Sequence, residues 1–277
     1  MEYFYLFIVG LLFGSFLNVA IFRYPAMLKR KWRSECTDFL DLPVEPTTTY
    51  NLALPHSHCR QCNQPLKFWH NIPIISYLSL RGKCYFCRHA ISLQYPLIEL
   101  LTALITVLIV WKWGWAWQSA AIWLMCCGLI TLACIDWRDQ ILPDTLTLSL
   151  LWLGLMVNRY SMITSLNEAV LGAITGYSIL WIVAHVFMLI RKKPGMGHGD
   201  FKMLAMLGAW LGVIPLFYVL LAAILLSLFF NLSLLLFKKI NFAQTLPFGP
   251  WLAISGGVML IFHPTIADWI AKCFALV

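Results

Sequence analysis

Charged residues are scarce in this sequence. Only 12% of its 277 residues are Asp, Glu, Lys or Arg, whereas 61% are hydrophobic. This balance excludes a soluble domain, in which about 25% of the residues are charged. The first apolar run, residues 3–22, lacks a basic segment before it and a small-residue cleavage site after it. We therefore expect this run to be a retained membrane span and not a signal peptide.

Acidic residues are the scarcer charge, with 12 Asp and Glu against 20 Lys and Arg, and the formal net charge is +8. The basic residues flank apolar runs and do not form a patch interleaved with aromatic residues, which argues against nucleic-acid binding. An excess of Lys and Arg in the loops of a membrane protein instead indicates which loops stay in the cytoplasm. The charge is therefore a signal of topology.

Several apolar segments are long enough, or nearly so, to cross the hydrocarbon core, which takes about 20 residues. We predict an all-α polytopic membrane protein with about eight transmembrane helices. These spans are predicted at residues 3–22, 95–112, 116–135, 141–158, 167–190, 201–214, 216–237 and 251–270.

The distribution of Lys and Arg orients these spans. If the polar loop at 23–94 is cytoplasmic, seventeen of the twenty basic residues lie on that side, and Lys112, Arg159 and Lys272 lie opposite. We expect both termini in the periplasm of a bacterial inner membrane. The predicted organisation is a first helix (1–22), a cytoplasmic loop (23–94) and a transmembrane domain (95–277).

Four of the nine cysteines form two CxxC pairs in this loop, Cys59 with Cys62 and Cys84 with Cys87, separated by twenty-one residues. Two CxxC turns can direct four thiolates onto one ion, and a closed four-sulfur shell is typical of a structural Zn²⁺ site. We predict a small zinc-ribbon-like loop domain. Disulfides or a redox pair are the alternative, which a reducing cytoplasm disfavours.

Among the carboxylates in or beside the predicted spans, four stand out as candidates: Glu99, Asp136, Asp144 and Asp200. Burying a charge in a membrane costs about 2.5–3.5 kcal/mol, so such residues are candidates for function. The topology places Asp136 and Asp200 at the same cytoplasmic face, where they could share one proton and act as general acid and base on a peptide bond. Asp144 follows Pro143 and could instead open a helix.

Three glycines precede Asp200, at Gly195, Gly197 and Gly199. A glycine-rich run can mark a phosphate loop, but no β-strand is predicted before this one. Glycines beside an aspartate allow an extended peptide to approach the carboxylate closely, and a helix-breaking linker is the plainer interpretation.

The motifs of the whole chain resemble those of the type IV prepilin peptidases, a family of membrane aspartyl proteases with a GxGD motif. The resemblance rests on GSFLNV at 14–19, the two CxxC pairs with NIP at 71–73 and LRGKC at 80–84, YPLIE at 95–99, ID at 135–136, LPD at 142–144, GMGHGD at 195–200 and PFGP at 247–250. A long insertion at 29–54 precedes the first CxxC pair and receives no role.

The resemblance implies two activities. Such enzymes cleave the basic leader of type IV prepilins and of type II secretion pseudopilins after a glycine on the cytoplasmic side, with Asp136 and Asp200 on the catalytic positions. They then methylate the new N-terminal residue, usually phenylalanine, with S-adenosylmethionine. The loop and first span are linked to methyl transfer, for which the candidate residues are Gly14, Asn18, Arg81 and Glu99.

Two other functions compete with this interpretation. A proton-coupled transporter or channel could use Asp136, Asp144 and Asp200 as a relay, but a relay should cross the midplane and these residues cluster at one face. A zinc-anchored membrane scaffold would leave the aspartates without a role. We therefore expect an aspartic endopeptidase that is also an N-methyltransferase.

Overall fold

A computed structural model describes residues 1–42, 49–193, 195–237, 246–263 and 266. The described residues form nine α-helices: α1 (Glu2–Phe39), α2 (Ile75–Ser79), α3 (Gln94–Trp113), α4 (Trp117–Asp139), α5 (Asp144–Arg159), α6 (Leu166–Arg191), α7 (His198–Leu211), α8 (Val213–Leu236) and α9 (Gly249–Ile261). The short α2 lies in the polar loop, and the other eight correspond to the eight predicted spans. The all-α prediction is confirmed.

Helix lengths differ between these eight elements. Among the described residues, α1, α3, α4, α6 and α8 are long and apolar enough to cross a membrane, so the chain is a multi-pass membrane protein. The helices α5, α7 and α9 have 16, 14 and 13 residues. The C-terminal part of the predicted span 251–270 lies outside the described residues, as do Lys238, Lys239 and Lys272.

The first helix extends well beyond its predicted end at residue 22. It continues through Pro25 to Phe39, a total of 38 residues, which is about 57 Å at 1.5 Å per residue and nearly twice the thickness of the hydrocarbon core. The loop at 23–94 and the insertion at 29–54 therefore begin within a helix. Good helix formers such as Met27, Leu28 and Lys29 continue it past the apolar run.

The chain divides into two compact units, residues 1–111 and 112–277. The boundary falls at the end of α3, whereas the predicted functional division lies at residue 95, where the polar loop ends. Residue contacts do not test a division by function, so the functional domain bounds remain a prediction.

In the first unit, α1 and α3 approach closely along a stripe of glycines. A Cβ on Gly10 would lie 2.5 Å from the Cα of Ala103, and a Cβ on Gly14 would lie 2.6 Å from the Cα of Glu99. Small residues four positions apart let membrane helices pack backbone to backbone. One turn later, Asn18 Nδ2 donates to the carbonyl oxygen of Tyr95 at 3.1 Å.

In the second unit, the short helix α7 forms the centre of the packing. It is buried along nearly its whole length by α5, α6, α8 and α9. The indole of Trp210 donates to the carbonyl oxygen of Leu150 at 2.8 Å, and the buried Asn158 donates to that of Ala209 at 2.8 Å. Protein groups therefore satisfy the polar atoms around the helix that carries Asp200.

The crossing of α6 and α7 provides a test of this packing. A Cβ on Gly208 would lie 2.1 Å from the carbonyl oxygen of Gly172, so Gly208→Ala should force the helices apart and destabilise the protein by about 1–3 kcal/mol. Thermal unfolding in detergent measures the effect. Gly257→Ala is the matched control, because its Cβ would make an ordinary 3.7 Å contact with Leu129. Equal unfolding temperatures for the two variants would contradict the prediction.

Candidate active site

Asp136 and Asp200 lie at helix ends that face one cavity. Asp136 is in the last turn of α4 and Asp200 is in the first turn of α7, with 6% and 9% of their surface exposed. Both line a cavity of about 570 Å³ in the second unit, and they lie close enough to interact electrostatically. Two carboxylates from distant parts of the sequence therefore meet at one site.

The end of α4 is shaped by a left-handed residue. Gln140 ends the helix with a φ of 53°, and its N–H donates to the carbonyl oxygen of Asp136 at 3.0 Å. The chain then turns through Leu142 and Pro143 into α5. Leu142 packs closely on Gly199, because a Cβ added to Gly199 would lie 2.8 Å from the Cβ of Leu142. This turn therefore contacts the segment that leads to Asp200.

The carboxylate of Asp136 is held by a backbone amide. The N–H of Gly249, the first residue of α9, donates to Asp136 Oδ2 at 3.0 Å. A Cβ on Gly249 would lie 2.6 Å from the same oxygen, so a side chain would break this contact. Gly249 belongs to the PFGP motif at 247–250, but nothing in the sequence indicated that this motif contacts Asp136.

The three glycines before Asp200 all line the cavity. Gly195 packs against the ring of Phe187, where a Cβ would come within 2.5 Å, and Gly199 packs against Leu142. Gly197 is the N-cap of α7, and a Cβ on it would lie 3.8 Å from Asp200 Oδ2. Two of these glycines are therefore required by packing, and the third leaves room beside the Asp200 carboxylate.

Asp144 is not part of the buried pair. It is the first residue of α5, and both of its carboxylate oxygens accept hydrogen bonds from Lys202 Nζ, at 2.7 and 2.6 Å. Its side chain is 55% exposed. Asp144 therefore links the start of α5 to the start of α7.

The four predicted cysteine ligands lie together in the first unit. Their sulfurs are all within 4.8 Å of one another, and those of Cys59 and Cys87 are 3.8 Å apart. Zinc–sulfur bonds of about 2.3 Å in a tetrahedron would separate the sulfurs by about 3.8 Å. The arrangement is thus compatible with a zinc ion.

The two CxxC turns have the same backbone structure. In each, the first cysteine's N–H donates five residues ahead, Cys59 to Gln64 and Cys84 to His89. The residue after the second cysteine has a positive φ, 55° at Asn63 and 59° at Arg88. The N–H of Cys62 is the main cause that lowers the pKa of the Cys59 thiol to about 6, whereas, against the N–H of His89, burial and the other three thiols raise the pKa of Cys87 to about 11. The thiolate is the form that binds a metal.

A second cavity, of about 370 Å³, lies in the first unit beside the cysteines. Of the methyl-transfer candidates, Glu99 lines it directly. Gly14 packs on the backbone of Glu99, and Asn18 is buried in the next turn of α1. Arg81 is exposed, with a φ of 53°, and is not among the lining residues. The cavity is also lined by aromatic and histidine side chains, including Tyr77 and His70.

Comparisons with known proteins agree with the motifs. Residues 8–113 match the bacterial peptidase A24 N-terminal domain, and residues 123–232 match the type IV leader peptidase family. The chain belongs to the type IV leader peptidase family. No solved structure matched it.

Curated relatives of the chain carry the name prepilin leader peptidase/N-methyltransferase. The protein from Stutzerimonas stutzeri is 46% identical, that from Pseudomonas aeruginosa is 45% identical, and that from Neisseria gonorrhoeae is 43% identical. In each case the alignment covers 94% of this chain and 90% of the relative. The resemblance predicted from motifs is confirmed.

Because Asp144 forms an exposed ion pair, its substitution should affect activity less than substitution of the buried aspartates. Asp144→Asn should retain most leader-peptidase activity, because an exposed ion pair contributes only about 0–1 kcal/mol. Lys202→Met, which removes the other partner, should have an equally small effect. Initial rates of peptide cleavage in detergent provide the measurement, and a loss comparable to that of Asp136→Asn would show that Asp144 takes part in the chemistry.

Proposed function

We propose that this chain processes prepilins in two steps at a bacterial inner membrane. It cleaves the basic leader of type IV prepilins and type II secretion pseudopilins after a glycine, and it methylates the N-terminus that cleavage exposes. The single observation that carries the proposal is the cavity lined by both Asp136 and Asp200 in a chain of the type IV leader peptidase family.

Peptide cleavage would use the two carboxylates as an acid and base pair. Buried carboxylates that lie close together cannot both ionise easily, so the pair holds one proton. The ionised member takes a proton from a water molecule, whose oxygen attacks the scissile carbonyl carbon. The protonated member donates to the carbonyl oxygen, and a proton passes to the leaving nitrogen as the C–N bond breaks.

The surroundings of the pair suit a peptide substrate. The Gly249 amide orients the Asp136 carboxylate, and Gly197 leaves space beside that of Asp200. A basic leader would be attracted to a cavity that contains two acidic groups. The excess of Lys and Arg on one side of the predicted spans supports a cytoplasmic position for this cavity.

The aspartate pair is tested by conservative substitutions. Asp136→Asn and Asp200→Asn should each lower the rate of prepilin cleavage at least about 100-fold, because each removes one proton-transfer group. Asp144→Asn is the control, because it makes the same change of side chain at an aspartate outside the cavity. The measurement is the rate of leader release in proteoliposomes, and full activity of either cavity variant would refute the acid and base pair.

The cysteine cluster would hold a structural Zn²⁺ through Cys59, Cys62, Cys84 and Cys87. The four sulfurs lie close enough together to bind a single ion, and a four-thiolate shell leaves no position for a substrate. The loop between α1 and α3 has few buried apolar side chains, so the metal would supply much of its folding free energy.

Metal analysis of the purified protein tests the zinc site. Wild type should contain about one zinc ion per chain, and Cys59→Ser should lose most of it because three thiolates bind far more weakly than four. Cys36→Ser is the matched control, since Cys36 is exposed on α1 and is not part of the cluster. Equal zinc contents in wild type and Cys59→Ser would exclude the site.

Methyl transfer would take place in the first unit. S-adenosylmethionine supplies an electrophilic methyl group when bound, and the neutral amine of the cleaved pilin is the nucleophile. Glu99 is the candidate that lines the local cavity, while Gly14 and Asn18 shape the helix packing behind it. Arg81 remains a candidate from the sequence motif alone.

A further inference from the structure

We propose that the cavity of the first unit is the binding site for S-adenosylmethionine, with Glu99 facing its sulfonium and Arg60 its carboxylate. This inference rests on the proposed methyl transfer. The cavity volume of about 370 Å³ lies within the range of about 300–1,000 Å³ that is typical of small-molecule sites. Its lining comes from α1, the polar loop that contains the four cysteines and the start of α3.

Glu99 is a buried carboxylate whose charge is poorly compensated. It is 7% exposed, and its Oε2 accepts a hydrogen bond from the Ile74 N–H at 2.8 Å. No Lys or Arg forms an ion pair with it within the described part of the chain. Burying a carboxylate without a cation is costly. A cationic ligand in the adjoining cavity would supply the missing charge.

The backbone that holds Glu99 is strained. Ile74 has a φ of 58°, a conformation that a β-branched residue adopts only at a steric cost. Such strain, about 1–3 kcal/mol, is concentrated at ligand sites, where the surrounding structure holds the backbone in position. Here the strained residue directs its N–H at the Glu99 carboxylate and so sets its orientation in advance.

The guanidinium of Arg60, which belongs to the polar loop, also lines this cavity. Arg60 stacks on the ring of Phe22 at 3.6 Å, and Phe22 stacks on Tyr95 with ring centroids 5.1 Å apart. All three side chains line the cavity. The planar donors of arginine match the geometry of a carboxylate, and the stacking holds the guanidinium in place.

His70 provides an independent sign of a ligand. Its Nδ1 atom is buried and has no hydrogen-bond partner among the described residues. Its ring packs on Tyr85, with the centroids 5.2 Å apart, and both residues line the cavity. Buried polar atoms are almost always paired, so a ligand with hydroxyl or amino groups, such as an adenosine, would satisfy this one.

The groups of the cavity complement those of S-adenosylmethionine. The cofactor carries a carboxylate, positive charges on nitrogen and sulfur, and an aromatic base. The lining offers a guanidinium, a buried carboxylate and several aromatic faces, and such faces also attract cations. S-adenosylhomocysteine, the product, shares all of these groups except the positive sulfur.

This difference gives a binding test that does not depend on turnover. Titration calorimetry of the full chain in nanodiscs would measure the affinities for S-adenosylmethionine and S-adenosylhomocysteine. Glu99→Gln should weaken binding of S-adenosylmethionine about 10-fold or more and that of S-adenosylhomocysteine much less, because only the former loses a charge interaction. Arg60→Gln should weaken both ligands to a similar extent, because both carry the carboxylate.

Matched variants distinguish the site from a general loss of structure. Glu35→Gln changes an exposed carboxylate on α1, paired with Lys31 at 3.7 Å, and should bind both ligands as wild type does. Zinc content and leader cleavage check that Glu99→Gln and Arg60→Gln are folded. Unchanged affinities in both variants, with a wild type that methylates cleaved prepilin, would overturn this site while the proposed function stands. A wild type that cleaves prepilin but binds neither ligand would overturn methyl transfer itself.

Discussion

A carboxylate buried among membrane helices must be surrounded by protein groups, and the second unit is built around that requirement. The short helix α7 is enclosed by its neighbours, with Gly172 and Gly208 allowing the backbones of α6 and α7 to approach closely. Asp200 lies in the first turn of this helix, where the partial positive charge of the N-terminus favours an acidic group. The Gly249 amide then supplies a donor for Asp136. Close helix packing is therefore what permits two acidic side chains to share a cavity.

The first unit relies on a different form of stabilisation. Its polar loop has few buried apolar side chains, and two identical CxxC turns bring four sulfurs together. Glycines at 10 and 14 allow α1 to lie against α3, which positions Glu99 beside the loop. The resulting cavity is lined by acidic, basic and aromatic side chains, whereas the cavity around Asp136 and Asp200 has no Lys or Arg among its described lining residues.

The arrangement of carboxylates also bears on the competing functions. A proton relay would need ionisable groups along the membrane normal. Asp136 and Asp200 instead share one cavity at helix ends, and Asp144 is exposed and bound to Lys202. This grouping favours local acid and base chemistry over transport, in agreement with the family to which the chain belongs.

The sequence alone determined the helical class, the approximate positions of eight helices and the convergence of four cysteines, because long apolar runs and CxxC spacing are local signals. Its motifs also indicated the family. Tertiary structure decided that α1 reaches Phe39, that Asp144 pairs with Lys202 and not with Asp200, and that Gly249 holds Asp136. It also created the cavity around Glu99. Spans that are apolar on every side carry no periodicity to show which faces meet, so these contacts depend on packing between distant segments.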